Sequence, residues 1–342
     1  MENLELEIQK LREEVSNLYT DEGKIVHVIN TLVEQLKIAN LRCDNAIAIS
    51  RNLKYELLDP RIVERQKIYY PKIKSTEETL QEILDKKRSI ARFGDGEFAI
   101  MANRERQKFQ KLDLELGKRL REVIETRDER LLIGIADNYG NLDKFTQDAA
   151  DKIRGYMIDE VRKEQIQFLD LNRTYDNAYV TRPYVIMADN MTDAPKIRFD
   201  NWKKVWDSRN VIMIEGAESR LGVQNDLFDN TATLRRILAP ATNSFQRYSD
   251  ILKSALDTAK EEDLFLIALG PTAGVLAFDL TMEGYQAIDV GHLDLEYEWF
   301  LAGEGTRVPV PYKYNNEFPG DERAEPIIDS RYEAQIIADF SK

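Results

Sequence analysis

Five short apolar runs, each separated from the next by a longer amphipathic stretch, constrain what this chain can fold into more than any other feature. They are 89–93 (SIARF), 131–135 (LLIGI), 211–214 (VIMI), 264–269 (LFLIAL) and 287–290 (AIDV). Runs of this length suit strands, and the stretches at 113–127, 142–164, 246–260 and 273–284 carry helical periodicity. A strand covered on both faces reads as continuously apolar, and a parallel neighbour is reached only through a crossover, usually a helix. The pattern predicts an α/β domain built on a doubly wound, mainly parallel sheet.

The N-terminal segment follows another rule. Leu4, Ile8, Leu11, Val15, Leu18, Ile25, Ile29, Leu32, Leu36, Ala39, Cys43 and Ala46 fall at heptad spacing. With Ile8, Val15, Ile29 and Leu36 at a and Leu11, Leu18, Ile25 and Leu32 at d, residues 1–50 are expected to form a parallel two-stranded coiled coil, hence a homodimer. The seam falters at Glu22 within Thr20-Asp21-Glu22-Gly23, where a turn would instead fold the segment into a helical hairpin. His27 sits in this helix and is read as structural. Residues 51–74, with Pro60, Pro71 and the pair Tyr69-Tyr70, are read as a connector. Ser75 and Glu78 then form a capping box for a helix to about Lys87, opening a domain over 75–342.

Charge narrows the partners. The 342 residues carry a formal net charge of −13, which disfavours a nucleic-acid partner, since phosphate backbones are met by clustered Lys and Arg. An acidic chain that handles anionic substrates needs borrowed positive charge, and a divalent metal supplies it. With Cys43 as the one cysteine, an internal disulfide or a cysteine-based zinc cluster is excluded. No run reaches the roughly 18 to 20 apolar residues of a membrane span, and MENLELEIQK lacks a signal-peptide core. The expectation is a soluble, cytoplasmic protein without a transmembrane segment.

Three constellations could carry chemistry. In Arg92-Phe93-Gly94-Asp95-Gly96-Glu97, a strand enters a glycine-flanked turn bearing two carboxylates. Open α/β sheets bind ligands beyond the carboxyl ends of their strands, so Asp95 and Glu97 are candidate ligands for a hard divalent cation. Gly94 and Gly96 would let phosphates approach the backbone, although a charged surface turn has the same composition. The second constellation, Gly291-His292-Leu293-Asp294-Leu295-Glu296-Tyr297-Glu298, sets three carboxylates beside a histidine. His292, Asp294, Glu296 and Glu298 are candidates for general base or metal support, whereas the commoner fate of such a run is a solvated acidic face. The third, Gly270-Pro271-Thr272-Ala273-Gly274, turns a strand into a helix whose N-terminus suits an anion but matches neither a P-loop nor a GxGxxG fingerprint. Weaker candidates are Arg92 and Lys313 as a phosphate clamp, Arg220, Thr181-Arg182-Pro183-Tyr184 and Asp137-Asn138-Tyr139. Trp202 and Trp206, four apart, are read as core.

RFGDGE, LGPTAGVLAFDL and GYQAIDVGHLDLEYEWF, in this order, resemble the GT-D type glycosyltransferases, over about residues 75 to 320. The resemblance implies a Rossmann-like fold in which a DxE motif, here Asp95 and Glu97, helps hold Mn²⁺ (or Mg²⁺) and the donor's diphosphate. It also implies a UDP-sugar donor, commonly UDP-glucose, and a hydroxyl acceptor on a glycan or surface glycoprotein. Metal-dependent phosphohydrolases and nucleotidyltransferases would use the same turn on the same fold, and a non-catalytic nucleotide-binding scaffold is a third possibility.

Overall fold

A computed structural model describes residues 2–56, 70–105, 110–157, 159–315, 317 and 324–342. The chain divides into two units, 1–58 and 59–342. In the first, helix α1 runs unbroken from Glu2 to Glu56, so the Thr20–Gly23 segment continues the helix and does not turn into a hairpin. Asp21–Lys24 and Glu34–Lys37 ion pairs brace its surface. The seam residues Ile8, Leu11, Val15, Ile25, Ile29, Leu32 and Leu36 are exposed along it. The side chains of Leu4, Leu18 and Glu22, and Pro60 and Tyr69 of the expected connector, lie outside the described residues.

Among its described residues the second unit carries a nine-stranded sheet in which every strand pair is parallel. In chain order its strands are β1 (Lys72–Ile73), β2 (Ser89–Phe93), β3 (Leu131–Ile135), β4 (Thr174–Asn177), β5 (Asn210–Gly216), β6 (Thr233–Ala239), β7 (Leu264–Ala268), β8 (Gln286–Asp289) and β9 (Ile336–Asp339). Across the sheet they run β1-β4-β3-β2-β8-β7-β5-β6-β9. The five apolar runs are the five contiguous central strands; the four outer ones lacked that signature. Outer strands carry polar groups with private partners. Asp176 of β4 accepts from Lys74 at 3.0 Å, and Arg236 in mid-β6 is buried against Glu215 of β5 at 2.5 Å. β1 falls inside the segment read as a connector.

The helices are α2 (Thr76–Asp85), α3 (Asp95–Met101), α4 (Leu114–Glu125), α5 (Gln147–Tyr156), α6 (Asp159–Ile166), α7 (Ala194–Val205), α8 (Tyr248–Thr258), α9 (Pro271–Met282), α10 (Leu293–Ala302) and α11 (Ser330–Gln335). The Ser75–Glu78 capping box of α2 is formed in both directions, at 2.8 and 3.0 Å. The expected helix 142–164 is two helices, α5 and α6.

Strand alternation distributes apolar side chains to two cores. Val211 and Met213 of β5 and Leu264 and Leu266 of β7 face a core completed by α2, α7 and α10. Ile212, Ile214, Phe265 and Ile267 face the other, completed by α8 and α9. Trp202 and Trp206 belong to the first core: both are fully buried, stacked 5.9 Å apart, and each indole N–H reaches a backbone carbonyl. Each fully buried Val, Leu, Ile, Phe or Met side chain of these cores stabilises the fold by roughly 1.5–3 kcal/mol.

This order creates a switch point. From β2 the chain leads to its neighbour β3 on one side, whereas from β8, on the other flank of β2, it leads to β9 at the far opposite edge. The connections diverge between β2 and β8 and leave a crevice at their carboxyl ends, the place where open α/β sheets bind ligands.

Candidate active site

Three strand-ending turns meet at that crevice. After β2, Gly94 precedes α3, and Glu97 in its first turn folds back so that Oε2 accepts the Gly94 N–H at 2.8 Å. Asp95, one residue along from Gly94, is exposed. After β7, Gly270 at φ +53° sets Pro271 at the head of α9. A Cβ on Gly96 would lie 3.8 Å from the Pro271 ring, so these two turns abut. After β8, Gly291 at φ +48° leads to His292, and Arg92 crosses beneath, donating to the Asp289 carbonyl at 2.9 Å and to Asp289 Oδ1 at 2.7 Å. Arg92, Gly94, Asp95, Gly96, Glu97, Gly270, Pro271, His292 and Asp294 all line one cleft of about 730 Å³.

The cleft's negative side is concentrated around Glu97. Burial, with the nearby Asp289 and Asp95 charges adding to it, raises the Glu97 carboxyl to about 7 even though backbone N–H groups pull the other way. Among the described residues no three His, Cys, Asp or Glu side chains form a ready-made metal centre. Two carboxylates are nonetheless what a Mg²⁺-like ion takes from protein when phosphate and water fill its other positions. Burial is the main reason the Glu97 carboxyl is raised, and a cation bound to it would offset that cost of charging, so Asp95 and Glu97 fit such an ion.

Helical spacing sorts the second acidic group. Asp294 and Glu298, four apart on α10, share a face, and Lys313 Nζ sits between them at 2.6 Å from each. Asp294 also accepts from the Gly222 N–H at 2.8 Å and from Asn225 at 2.9 Å, and Glu298 accepts from Asn225 and Tyr312. Glu296 points elsewhere: it is fully buried, with Oε2 accepting the Tyr184 and Val185 N–H groups at 3.0 and 2.9 Å. Of this group the cleft lining contains His292 and Asp294 but neither Glu296 nor Glu298. Lys313, expected in a phosphate clamp, is instead buried and neutralised by carboxylates. Thr272 is fully buried rather than presented to the cleft. Arg220 likewise turns away, donating to the Tyr312 and Glu325 carbonyls.

Of the weaker candidates, Asn138 and Arg182 line the cleft. Asp137 is held by Lys144, and Tyr184 is buried with its hydroxyl accepting the Gly305 N–H. Arg182 donates to His292 Nδ1 at 3.1 Å, and because arginine only donates, the imidazole proton is assigned to Nε2. Tyr179, Arg307 and Glu317 also line the cleft and were not singled out from sequence. Tyr179 donates to Asn138 at 2.6 Å and is flanked electrostatically by Arg182 and Asp95. No local pattern betrays Arg307 or Glu317, which reach the site from the loop after α10.

The sequence matches the family described as the glycosyltransferase GT-D fold over residues 90–318. It is similar to the probable glycosyl transferase Gly of Streptococcus gordonii, 34% identical over 271 residues, covering 78% of this chain and 39% of that protein. It is also similar to glycosyltransferase GlyD of Streptococcus pneumoniae serotype 4, 35% identical over 271 residues and covering 78% and 32% respectively. The chain therefore spans well under half the length of these two relatives. Among solved structures, a new glycosyltransferase from Streptococcus sanguinis superposes with a TM-score of 0.73 at 32% identity, covering 79% of this chain and 100% of that one. A highly conserved domain of unknown function with a distinct glycosyltransferase fold gives 0.73 at 33% identity, with 79% and 96% covered.

Proposed function

Because this chain belongs to the GT-D family of glycosyltransferases, we propose that it transfers a sugar, glucose in the first instance, from a UDP-sugar to a hydroxyl of a glycan or glycoprotein acceptor. One observation carries this proposal: the glycine turns after β2, β7 and β8 converge on a single cleft at the sheet's switch point, with two carboxylates on one of them. Backbone at Gly94, Gly96 and Gly270 accommodates a diphosphate closely, and Asp95 and Glu97 would hold Mn²⁺ or Mg²⁺. Such an ion supplies positive charge to the departing diphosphate, which counts for catalysis because that charge develops in the transition state.

The chain's own groups then orient the bound substrates. Asp294 already accepts from three donors, and Glu296 and Glu298 stand behind the lining. Within the second acidic group, His292, with 32% of its side chain exposed, is therefore the residue that faces the bound substrates; Arg182 occupies its Nδ1, so it presents the Nε2–H as a donor. Glu296 fixes the backbone at Tyr184 and Val185 and so positions Arg182, which donates to the imidazole. Assembly as a homodimer through α1, and action in the cytoplasm, complete the proposal; no described helix is long and apolar enough to cross a membrane.

The test is calorimetric titration of UDP and UDP-glucose, with Mn²⁺ and with EDTA, on wild type and Asp95→Asn. Metal-dependent binding that the substitution weakens supports the donor site. A folded protein that binds no UDP compound sinks it. Turnover of UDP-glucose without any hydroxyl acceptor other than water would point to a hydrolase instead.

A further inference from the structure

Beside the carboxylate turn the cleft holds a second charged cluster, around Glu317. Arg182 grips both oxygens of this carboxylate, through Nη2 to Oε1 and through Nη1 to Oε2 at 3.0 Å. Arg307 Nε adds a bond to Oε2 at 2.8 Å, and His292 Nε2 stands 3.5 Å from Oε1. Two arginines and a histidine, Arg182 from one part of the chain and His292 and Arg307 from either side of α10, thus converge on one oxyanion. A two-pronged arginine with a second cation beside it is the arrangement that recognises phosphate groups.

The cluster has a fixed side and an exchangeable side. On the fixed side, Glu296 Oε1 lies 3.8 Å from Arg182 Nη1, while its other oxygen holds the backbone at Tyr184 and Val185. Arg182 keeps that counter-charge whatever happens at Glu317. On the other side Glu317, Arg307 and His292 all line the cleft, so the donors now spent on Glu317 are within reach of a ligand. Burial alone would raise the Glu317 carboxyl, but Arg182, with His292 and Arg307, holds it far below the usual carboxylate range, so it competes as an anion at any working pH.

We propose that Arg182, Arg307 and His292 form an anion subsite for the diphosphate of the nucleotide, with Glu317 as an internal counter-ion that the diphosphate displaces. This rests on the nucleotide-sugar proposal and adds which cations of the chain meet the phosphate charge. Asp95 and Glu97 would serve the metal; this subsite binds phosphate oxygens directly. Glu317 lowers the affinity for the diphosphate by the fraction of time it holds the donors, which favours release of the product nucleotide.

The experiment uses the full chain, UDP and uridine, titrated with Mn²⁺ and with EDTA. Glu317→Gln keeps the shape of the side chain and removes its charge; UDP affinity should rise about tenfold, as if a site occupied nine-tenths of the time were vacated. Uridine, lacking phosphate, should not respond. Arg307→Gln, at a partly exposed position where folding is spared, should weaken UDP by a similar factor and again leave uridine alone. Wild type that binds UDP while Glu317→Gln binds it no tighter, or while Arg307→Gln leaves it unchanged, overturns the subsite and leaves the nucleotide-sugar proposal standing. Wild type that binds no UDP under either condition overturns both.

Discussion

The Arg92 guanidinium occupies the space that a side chain on Gly291 would need: a Cβ there would fall 2.0 Å from Arg92 Nη2. Gly291 also sits at φ +48°, in the left-handed region. An alanine at this position must bear the left-handed backbone, about 1–2 kcal/mol, and also push Arg92 off the buried Asp289 carboxylate. Gly291→Ala is therefore expected to lose about 2–4 kcal/mol of stability by urea denaturation, with the larger part from the orphaned carboxylate. Gly303→Ala is the control, since that residue is at φ +75° with nothing within 4 Å of the added atom; it should lose only the backbone part, and equal losses in the two variants would refute the Arg92 account.

Lys313 is predicted to be a structural residue. Replacing it with methionine leaves the buried Asp294 and the partly buried Glu298 beside each other without their cation, which should cost about 3–5 kcal/mol. Lys152→Met removes a cation that pairs with Asp148 at the exposed edge of the cleft. That change should stay within about 0.5 kcal/mol. A Lys313→Met protein as stable as wild type would return Lys313 to the candidates for phosphate binding.

The acidity of Glu97 predicts a pH dependence. Its folded pKa of about 7 lies above the ordinary 4.5, so its contribution to stability is fully present below 4.5 and is lost as pH rises through about 7. Metal binding runs the opposite way, because the ligand must be deprotonated. The Mn²⁺-dependent part of UDP affinity should strengthen about tenfold from pH 6 to pH 8 and level off above, since the ionised fraction rises from about a tenth to about nine-tenths. In Glu97→Gln that dependence should vanish; a wild-type profile as flat as the variant's would exclude Glu97 as a ligand.

The exposed seam of α1 predicts a parallel, in-register pair. Cys43 occupies an a position, is free and is exposed. In a parallel coil it faces its own counterpart, whereas antiparallel chains hold the two thiols far apart. Mild oxidation should convert the protein to a disulfide-linked dimer, and Leu32→Lys should abolish both the link and the doubled mass in light scattering. A wild-type dimer by mass that never cross-links would indicate antiparallel packing.

How much could be read from residues alone follows from where each feature sits in the sheet. Strands covered on both faces, such as LLIGI and LFLIA, must be apolar throughout, and the central five were legible for that reason. β6 was hidden because Arg235 and Arg236 look solvent-bound until Asp263 and Glu215 are seen to receive them. The candidate site divides in the same way. Gly94, Asp95, Glu97, Gly270 and Gly291 stand directly after strands, where local punctuation marks a turn at the ligand edge. Arg182 meets His292 across 110 residues and Glu317 across 135, and no spacing rule spans such distances. The acidic group after β8 misled in a particular way: its carboxylates look like a solvated or catalytic face, yet the helix directs Glu296 and Glu298 into the interior, where backbone N–H groups and a lysine await them.

The pairing of β2 with β8 also sets when the cleft can exist. Arg92 and Asp289, which lock the crevice, are 197 residues apart. At 5–20 residues per second, synthesis separates them by roughly 10–40 s. Throughout that interval β2 can pair with β3 on one flank only, and its other edge stays open in the middle of the future sheet, the kind of unpaired edge that invites association with other chains. The nascent chain thus carries its vulnerable edge at the place where the ligand will later bind, and protection of that edge and competence of the cleft arrive in the same late step.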